Sequence, residues 1–115
     1  MSQPEDKTKK AIVKVIDDLF PNNFQLMVVP GGFGKNGIPD HLACVPVTIT
    51  QDMVGKSYGM FVAAEAKTLL GTTKGLQLVR IAEIIKADGF AALVYGVEGA
   101  PRFETNLRKR FCLKK

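Results

Sequence analysis

The 115-residue chain has only two cysteines and one histidine. Cys44 and Cys112 form no CxxC pair, so a zinc site has little to draw on. Cys44 sits in an apolar run and is expected as a buried small hydrophobe. The N-terminal Met-Ser-Gln-Pro-Glu-Asp-Lys has no signal-peptide core, and no apolar run approaches the ~20 residues of a membrane span. No membrane partner is therefore expected, and the cytoplasm is the expected location. Repeats and low-complexity segments are absent. Acid is scarce near the C-terminus: from Arg102 to Lys115 six basic residues face Glu104 alone. The whole chain carries a formal charge of +5 and a pI near 9.4. That balance favours anionic partners, nucleic acid first, although many basic domains bind nothing charged.

What is present reads as one globular domain, 1–115, with a basic C-terminal tail from about 102. Hydrophobic content is 46% and charged content 23%, enough for a modest single core. Glu5 to Leu19 is expected as a helix, with Ile12, Val15, Ile16 and Leu19 on one face and Pro21 ending it. Strands are expected at Asn23–Val29, His41–Thr50, Tyr58–Lys67 and Phe90–Val97. The run Phe61-Val62-Ala63-Ala64 suits a strand covered on both faces. A second helix is expected over Thr73–Asp88, with Leu78, Ile81, Ala82 and Ile85 on one face. Thr72 or Thr73 can cap its start, and Gly89 stands where a left-handed residue closes a helix. The order is helix, three strands, helix, strand.

Chemistry concentrates between Gly31 and Lys67. A glycine-rich turn, Gly31-Gly32-Phe33-Gly34-Lys35-Asn36-Gly37-Ile38, leads to Pro39-Asp40 at the start of a strand. Its literal G-x-G-x-x-G lacks the following helix that dinucleotide binding needs, because Pro39 disfavours helix at Ile38. Nor does Gly-Lys-Ser/Thr complete a P-loop. The turn can instead be plain flexible chain, or can bring Lys35 and backbone close to a phosphate.

On the next strand Glu65 and Lys67, at i and i+2, share one face. If the two strands pair, Asp40 joins them as an acid-acid-lysine cluster. Carboxylates from neighbouring strands hold Mg²⁺ through hard oxygen ligands, and a lysine beside them can orient water or offset developing negative charge. The same residues also occur as ordinary surface pairs, but here they end an apolar run, where burying charge without purpose is costly. His41 turns to the opposite face from Asp40, which suits a structural or substrate-side residue better than a metal ligand. Lys10 and Lys14 on the first helix, and Lys74 and Arg80 either side of Gln77, suit either a solvated face or a phosphate-facing one.

Gly31–Asp40 followed by Glu65-x-Lys67 resembles the PD-(D/E)xK nuclease signature. The segment Gly-Gly-Phe-Gly-Lys-Asn-Gly-Ile-Pro-Asp is similar to the VRR-NUC branch, which includes the nuclease domain of the Fanconi-associated nuclease and small stand-alone phage and bacterial proteins. The likeness runs from the first helix to about Val97. It implies an α/β restriction-endonuclease-like core, a four-stranded mixed β-sheet flanked by helices in the order αβββαβ. It also implies metal ligation by Asp40, Glu65 and the Ala66 carbonyl, a catalytic Lys67, a supporting Gln77, and an acid on the first helix best matched by Glu5. The cofactor implied is Mg²⁺ or Mn²⁺. The implied activity is hydrolysis of DNA phosphodiester bonds, on branched DNA such as Holliday junctions or flaps, by a homodimer. For a phage-encoded member the location would be the host cytoplasm. The competing expectation is a non-catalytic basic nucleic-acid-binding module, which would leave Asp40 and Glu65 without a use.

Overall fold

In the computed structural model the described residues are 4–28, 37 and 39–114, with side chains described from residue 6. The turn from Gly31 to Gly34, with Lys35, and the Glu5 side chain lie outside them. Among the described residues the architecture is mixed α/β: three α-helices and two sheets of two strands each. The chain divides into two compact units, Met1–Lys56 and Ser57–Lys115. Among the described residues no helix is long and apolar enough to cross a membrane.

The N-terminal unit holds α1 (Pro4–Leu19), β1 (Phe24–Met27) and β2 (His41–Cys44). β1 and β2 pair antiparallel, with Phe24 opposite Cys44 and Met27 opposite His41. Phe24 and Cys44 are the buried apolar pair of this unit, so the cysteine has its expected place. β2 is shorter than expected. Pro46 has no N–H to give a ladder, and the strand ends before it. The face α1 turns inward also differs from expectation. Val13, Ile16 and Phe20 are half-buried, whereas Ile12, Val15 and Leu19 are exposed. Apolar residues surround much of this helix, so polar anchors decide its rotation. Asp17 Oδ1 accepts from Gln25 Nε2 at 2.9 Å and from Asn23 Nδ2 at 2.8 Å, tying the helix to the start of β1.

The C-terminal unit holds β3 (Val62–Lys67), α2 (Gly75–Lys86), β4 (Phe90–Tyr95) and α3 (Ala100–Arg110). β3 and β4 run parallel, Val62 beside Phe90 and Lys67 beside Tyr95, joined by α2 as a parallel crossover requires. The expectation of a β3 covered on both faces is corrected: Ala63, Glu65 and Lys67 are half-buried, while Val62, Ala64 and Ala66 are exposed. β4 carries packing from both α2 and α3 and is half-buried along its whole length. Within α2 the packed side is Gln77, Ile81 and Ile84; Leu78, Ala82 and Ile85 are exposed. Leu76, Val79 and Ile85 make this helix apolar almost all round, so periodicity alone could not select a face.

The presumed tail is a helix. α3 begins with proline at its first turn, where a missing N–H costs nothing. Phe103, Leu107 and Phe111 recur at i, i+4 and i+8 on its inner side. Phe90 stands 5.9 Å from Phe103 and 6.4 Å from Phe111, centroid to centroid, with tilted rings.

Both helices of this unit end in the same way. Gly89 N–H reaches the Ile84 carbonyl at 2.9 Å and Asp88 N–H the Ile85 carbonyl at 2.9 Å; Leu113 reaches Arg108 at 2.9 Å and Cys112 reaches Lys109 at 3.4 Å. These are the paired bonds of a Schellman end. The left-handed residue after α2 is Asp88 at φ +65°, not the expected Gly89, and after α3 it is Cys112 at φ +55°. The same correction applies at the start of α2, where Lys74 is the N-cap while Thr73 shares a 2.9 Å hydrogen bond with the Tyr95 hydroxyl. A Cβ is disfavoured at positive φ. Asp88→Gly and Cys112→Gly are each expected to add about 0.5–1 kcal/mol of stability. The check is a higher denaturant midpoint at unchanged slope; a lower midpoint would count against the left-handed closures.

Candidate active site

Alternation along β3 puts Glu65 and Lys67 on its half-buried face, as their spacing requires. Lys67 is the more sheltered, its side chain 15% exposed against 41% for Glu65. Its Nζ donates to Gln77 Oε1 at 2.7 Å and lies 3.7 Å from Glu65 Oε2. A sheltered ammonium is costly unless its charge and donors are met; Glu65 offsets the charge and Gln77 takes one of the three donors. Gln77 is itself fixed, because its Oε1 also accepts from the Lys74 backbone N–H at 3.3 Å. That contact is the N3-to-N-cap half of a capping box; Lys74 has no side-chain acceptor with which to return it. The first turn of α2 therefore orients the lysine at the end of β3.

The backbone of β3 adds a further element. Phe90 N–H bonds the Phe61 carbonyl at 3.1 Å and Gly96 N–H the Lys67 carbonyl at 2.7 Å. In a parallel pair alternate residues address the same neighbour. The odd-numbered residues of β3 thus point their polar backbone groups at β4, and Ala66 points its carbonyl the other way, along the outer edge. Gly96 closes the end of the pair with φ +65° and ψ 176°, a conformation open essentially to glycine. A Cβ there would stand 2.7 Å from Glu98 Oε2. Neither Gly96 nor the Thr73–Tyr95 contact was anticipated from sequence; a glycine directly after the apolar run that ends at Tyr95 was the available signal for the first.

A cleft of about 260 Å³ opens beside Glu65, Gln77 and Arg80, with Leu76, Ile81 and Ile84 among its apolar lining. Arg80 pairs with Glu83 at 2.7 Å. Lys74 is exposed at the head of α2.

Asp40 belongs to the N-terminal unit. Its carbonyl accepts from Val28 N–H at 3.0 Å, extending the β1–β2 ladder one step. Its carboxylate is exposed and lies 4.0 Å from Lys9 Nζ. His41, next along, bonds through Nε2 to Gln25 Oε1 at 2.6 Å and through Nδ1 contacts the Met27 sulfur. With Gln25 held by Asp17, that histidine is part of the scaffold joining β2 to α1. On α1, Lys14 pairs with Asp18 at 2.6 Å, and Lys10 is exposed.

The structure thus brings Glu65, Lys67 and Gln77 together, with the Ala66 carbonyl beside them on the strand edge. Among the described residues no three His, Cys, Asp or Glu side chains gather into a metal-binding group. Glu65 and Asp40 are oxygen donors, a class that suits Mg²⁺ or Mn²⁺ and not zinc or copper. Compared with family models, with curated proteins and with solved structures, the chain matches none.

Proposed function

We propose that the chain is a metal-dependent endodeoxyribonuclease of the VRR-NUC type, hydrolysing phosphodiester bonds in branched DNA. The observation that carries this reading is the Lys67 ammonium, sheltered on β3 and oriented by Gln77 beside an open Glu65 carboxylate. A surface ion pair would not need a glutamine from another element to aim the lysine.

Asp40, Glu65 and the Ala66 carbonyl would hold Mg²⁺ or Mn²⁺, with Glu5 as a further acid from α1. All are hard oxygen donors, so the set fits the ion. When bound, such an ion polarises the phosphodiester and makes bound water more acidic. Lys67 would hold the attacking water in line and offset the charge that develops on the phosphate oxygens. Gln77 keeps the lysine in that position and takes no proton. Lys10, Lys35, Lys74 and Arg80, with Lys14, would supply DNA-backbone contacts. Lys14 and Arg80 would exchange their present carboxylate partners for phosphate.

In this reading the two two-stranded sheets form part of one four-stranded, restriction-endonuclease-like core, with β3 taking a neighbour on its outer edge. Large exposed apolar side chains, among them Leu70 and Val97, support a homodimer, since such surface commonly marks interaction sites. The protein would act in the cytoplasm.

The test incubates the purified protein with labelled four-way junction, flap, linear duplex and single-stranded DNA, each with Mg²⁺, Mn²⁺ or EDTA. The expected result is metal-dependent cleavage, with paired symmetric nicks across the junction. Binding without cleavage in either metal would favour the non-catalytic basic module, and a strictly monomeric protein would remove the paired-nick mechanism.

A further inference from the structure

The charge of the chain is not spread evenly. Residues 100–115 hold six Lys and Arg against Glu104 alone, which equals the entire formal charge of +5; elsewhere basic and acidic residues balance. Most of this excess lies on α3, and the helix sorts it. Phe103 and Phe111 face inward to Phe90, and Leu107 between them is half-buried. Arg108 is held by Glu104 at 2.8 Å and by the Lys114 carbonyl at 3.3 Å. Arg110 reaches back to the Asp88 carbonyl at 2.6 Å. These two arginines brace the helix.

The outward stripe is different. Arg102, Thr105, Asn106 and Lys109 recur at i, i+3, i+4 and i+7, so they lie along one line of the helix surface. All four are exposed; the Thr105 hydroxyl donates to the Pro101 carbonyl at 3.0 Å and keeps only acceptor capacity, so Arg102, Asn106 and Lys109 are the donors of the stripe. Arg102 and Lys109 make no ion pair with a described residue, and the one carboxylate on the helix, Glu104, is taken by Arg108. Seven residues of helix separate the two cations by about 10 Å. Duplex DNA presents about six phosphate charges over that axial length. Arginine, asparagine and lysine are all side chains that contact phosphate oxygens without reading bases.

We infer that the outer stripe of α3, Arg102-Thr105-Asn106-Lys109, is a sequence-independent binding surface for the phosphate backbone of duplex DNA, separate from the Glu65–Lys67–Gln77 site. The inference rests on the proposed nuclease reading only for its choice of ligand. An anionic membrane is the less suitable partner for a basic helix here. Such binding uses an apolar face laid into the lipid, and the apolar face of α3 is already spent on Phe90.

The experiment measures binding of a fluorescent linear duplex of arbitrary sequence, in EDTA so that no cleavage intervenes, between about 50 and about 200 mM KCl. Arg102→Ala/Lys109→Ala is compared with wild type and with Lys56→Ala/Lys86→Ala, which removes the same charge elsewhere. Each lost phosphate contact lowers the slope of log K against log salt by about 0.9. The α3 variant is expected to lower it by about 1.8 and to weaken binding at least about tenfold at the lowest salt. The control is expected to leave the slope unchanged. Arg102→Gln/Lys109→Gln, which keeps the polar surface, should behave like the alanine pair, and circular dichroism reports that α3 persists. Equal slopes for the α3 variant and the control would overturn the inference, as would absence of duplex binding by the wild type. So would a loss seen only in parallel binding to anionic phosphatidylserine vesicles and not with the duplex. A slope change in a protein that cleaves nothing would sink the nuclease reading alone. Cleavage with no slope change would sink the α3 surface alone.

Discussion

Lys67→Ala is expected to lower metal-dependent DNA cleavage by about 10²–10³-fold, the usual cost of removing one group that stabilises developing charge. Duplex binding in EDTA should change little, because a side chain only 15% exposed offers little contact to a distant backbone. The fold should also survive. Gln77 loses a donor when the ammonium goes, but its Oε1 keeps the Lys74 N–H, so no orphaned acceptor is left. Glu65 is open enough to take water in place of the lysine. The stability cost is therefore that of one hydrogen bond to a charged group, about 1.5–3 kcal/mol. Rates from single-turnover cleavage, beside thermal melts of both proteins, separate the two effects. Near wild-type cleavage by the alanine variant would remove Lys67 from the mechanism. Gln77→Ala should follow in the same direction with a smaller loss, since it acts by positioning the lysine.

Phe90→Ala should have the largest effect on stability, costing the C-terminal unit about 2–3 kcal/mol. Truncating a well-packed phenylalanine costs about 3–5 kcal/mol in a closed core. Phe90 is half-buried, which lowers the transfer part of that figure. It also anchors two rings of α3, and such pairs contribute about 0.5–1.5 kcal/mol beyond their area. Losing both contacts removes the aromatic part of the hold on α3, while the rest of its packing on β4 and the Arg110–Asp88 bond at its far end remain. Unfolding in urea followed by helical signal gives the measurement. A midpoint within error of wild type would mean that α3 is held by something other than these rings.

Several features of this molecule were legible in residue order, and the reasons differ. Strand alternation is a steric property of the backbone, so Glu65 and Lys67 sharing a face followed directly from their spacing. Element order and type from α1 to β4 followed from periodicity, and Cys44 was recognisable as buried from its apolar neighbours. Helix rotation was not legible, because α1 and α2 are apolar on too many sides. Their faces are chosen by polar anchors, Asp17 with Gln25 and Gln77 with Lys67, that are distant in sequence. The left-handed helix ends were missed because glycine is the usual signal, and here aspartate and cysteine accept that conformation. α3 was mistaken for a tail because its charge obscured a regular Phe103-Leu107-Phe111 spacing. The long reach expected of β2 overlooked Pro46. The pairing of β2 with β3 was an inference from resemblance; among the described residues each pairs only with its partner, β1 or β4.

The one-sided backbone pairing of β3 sets how fast its amides should exchange with deuterium. Ala63, Glu65 and Lys67 direct their N–H groups at β4 and should exchange slowly. Val62, Ala64 and Ala66 direct theirs outward and should exchange at rates near those of loop amides. Within six residues the protein would carry an alternating record of fast and slow sites. A strand docking along that outer edge, whether from this chain or a second copy, would slow the fast positions and leave the slow ones as they are.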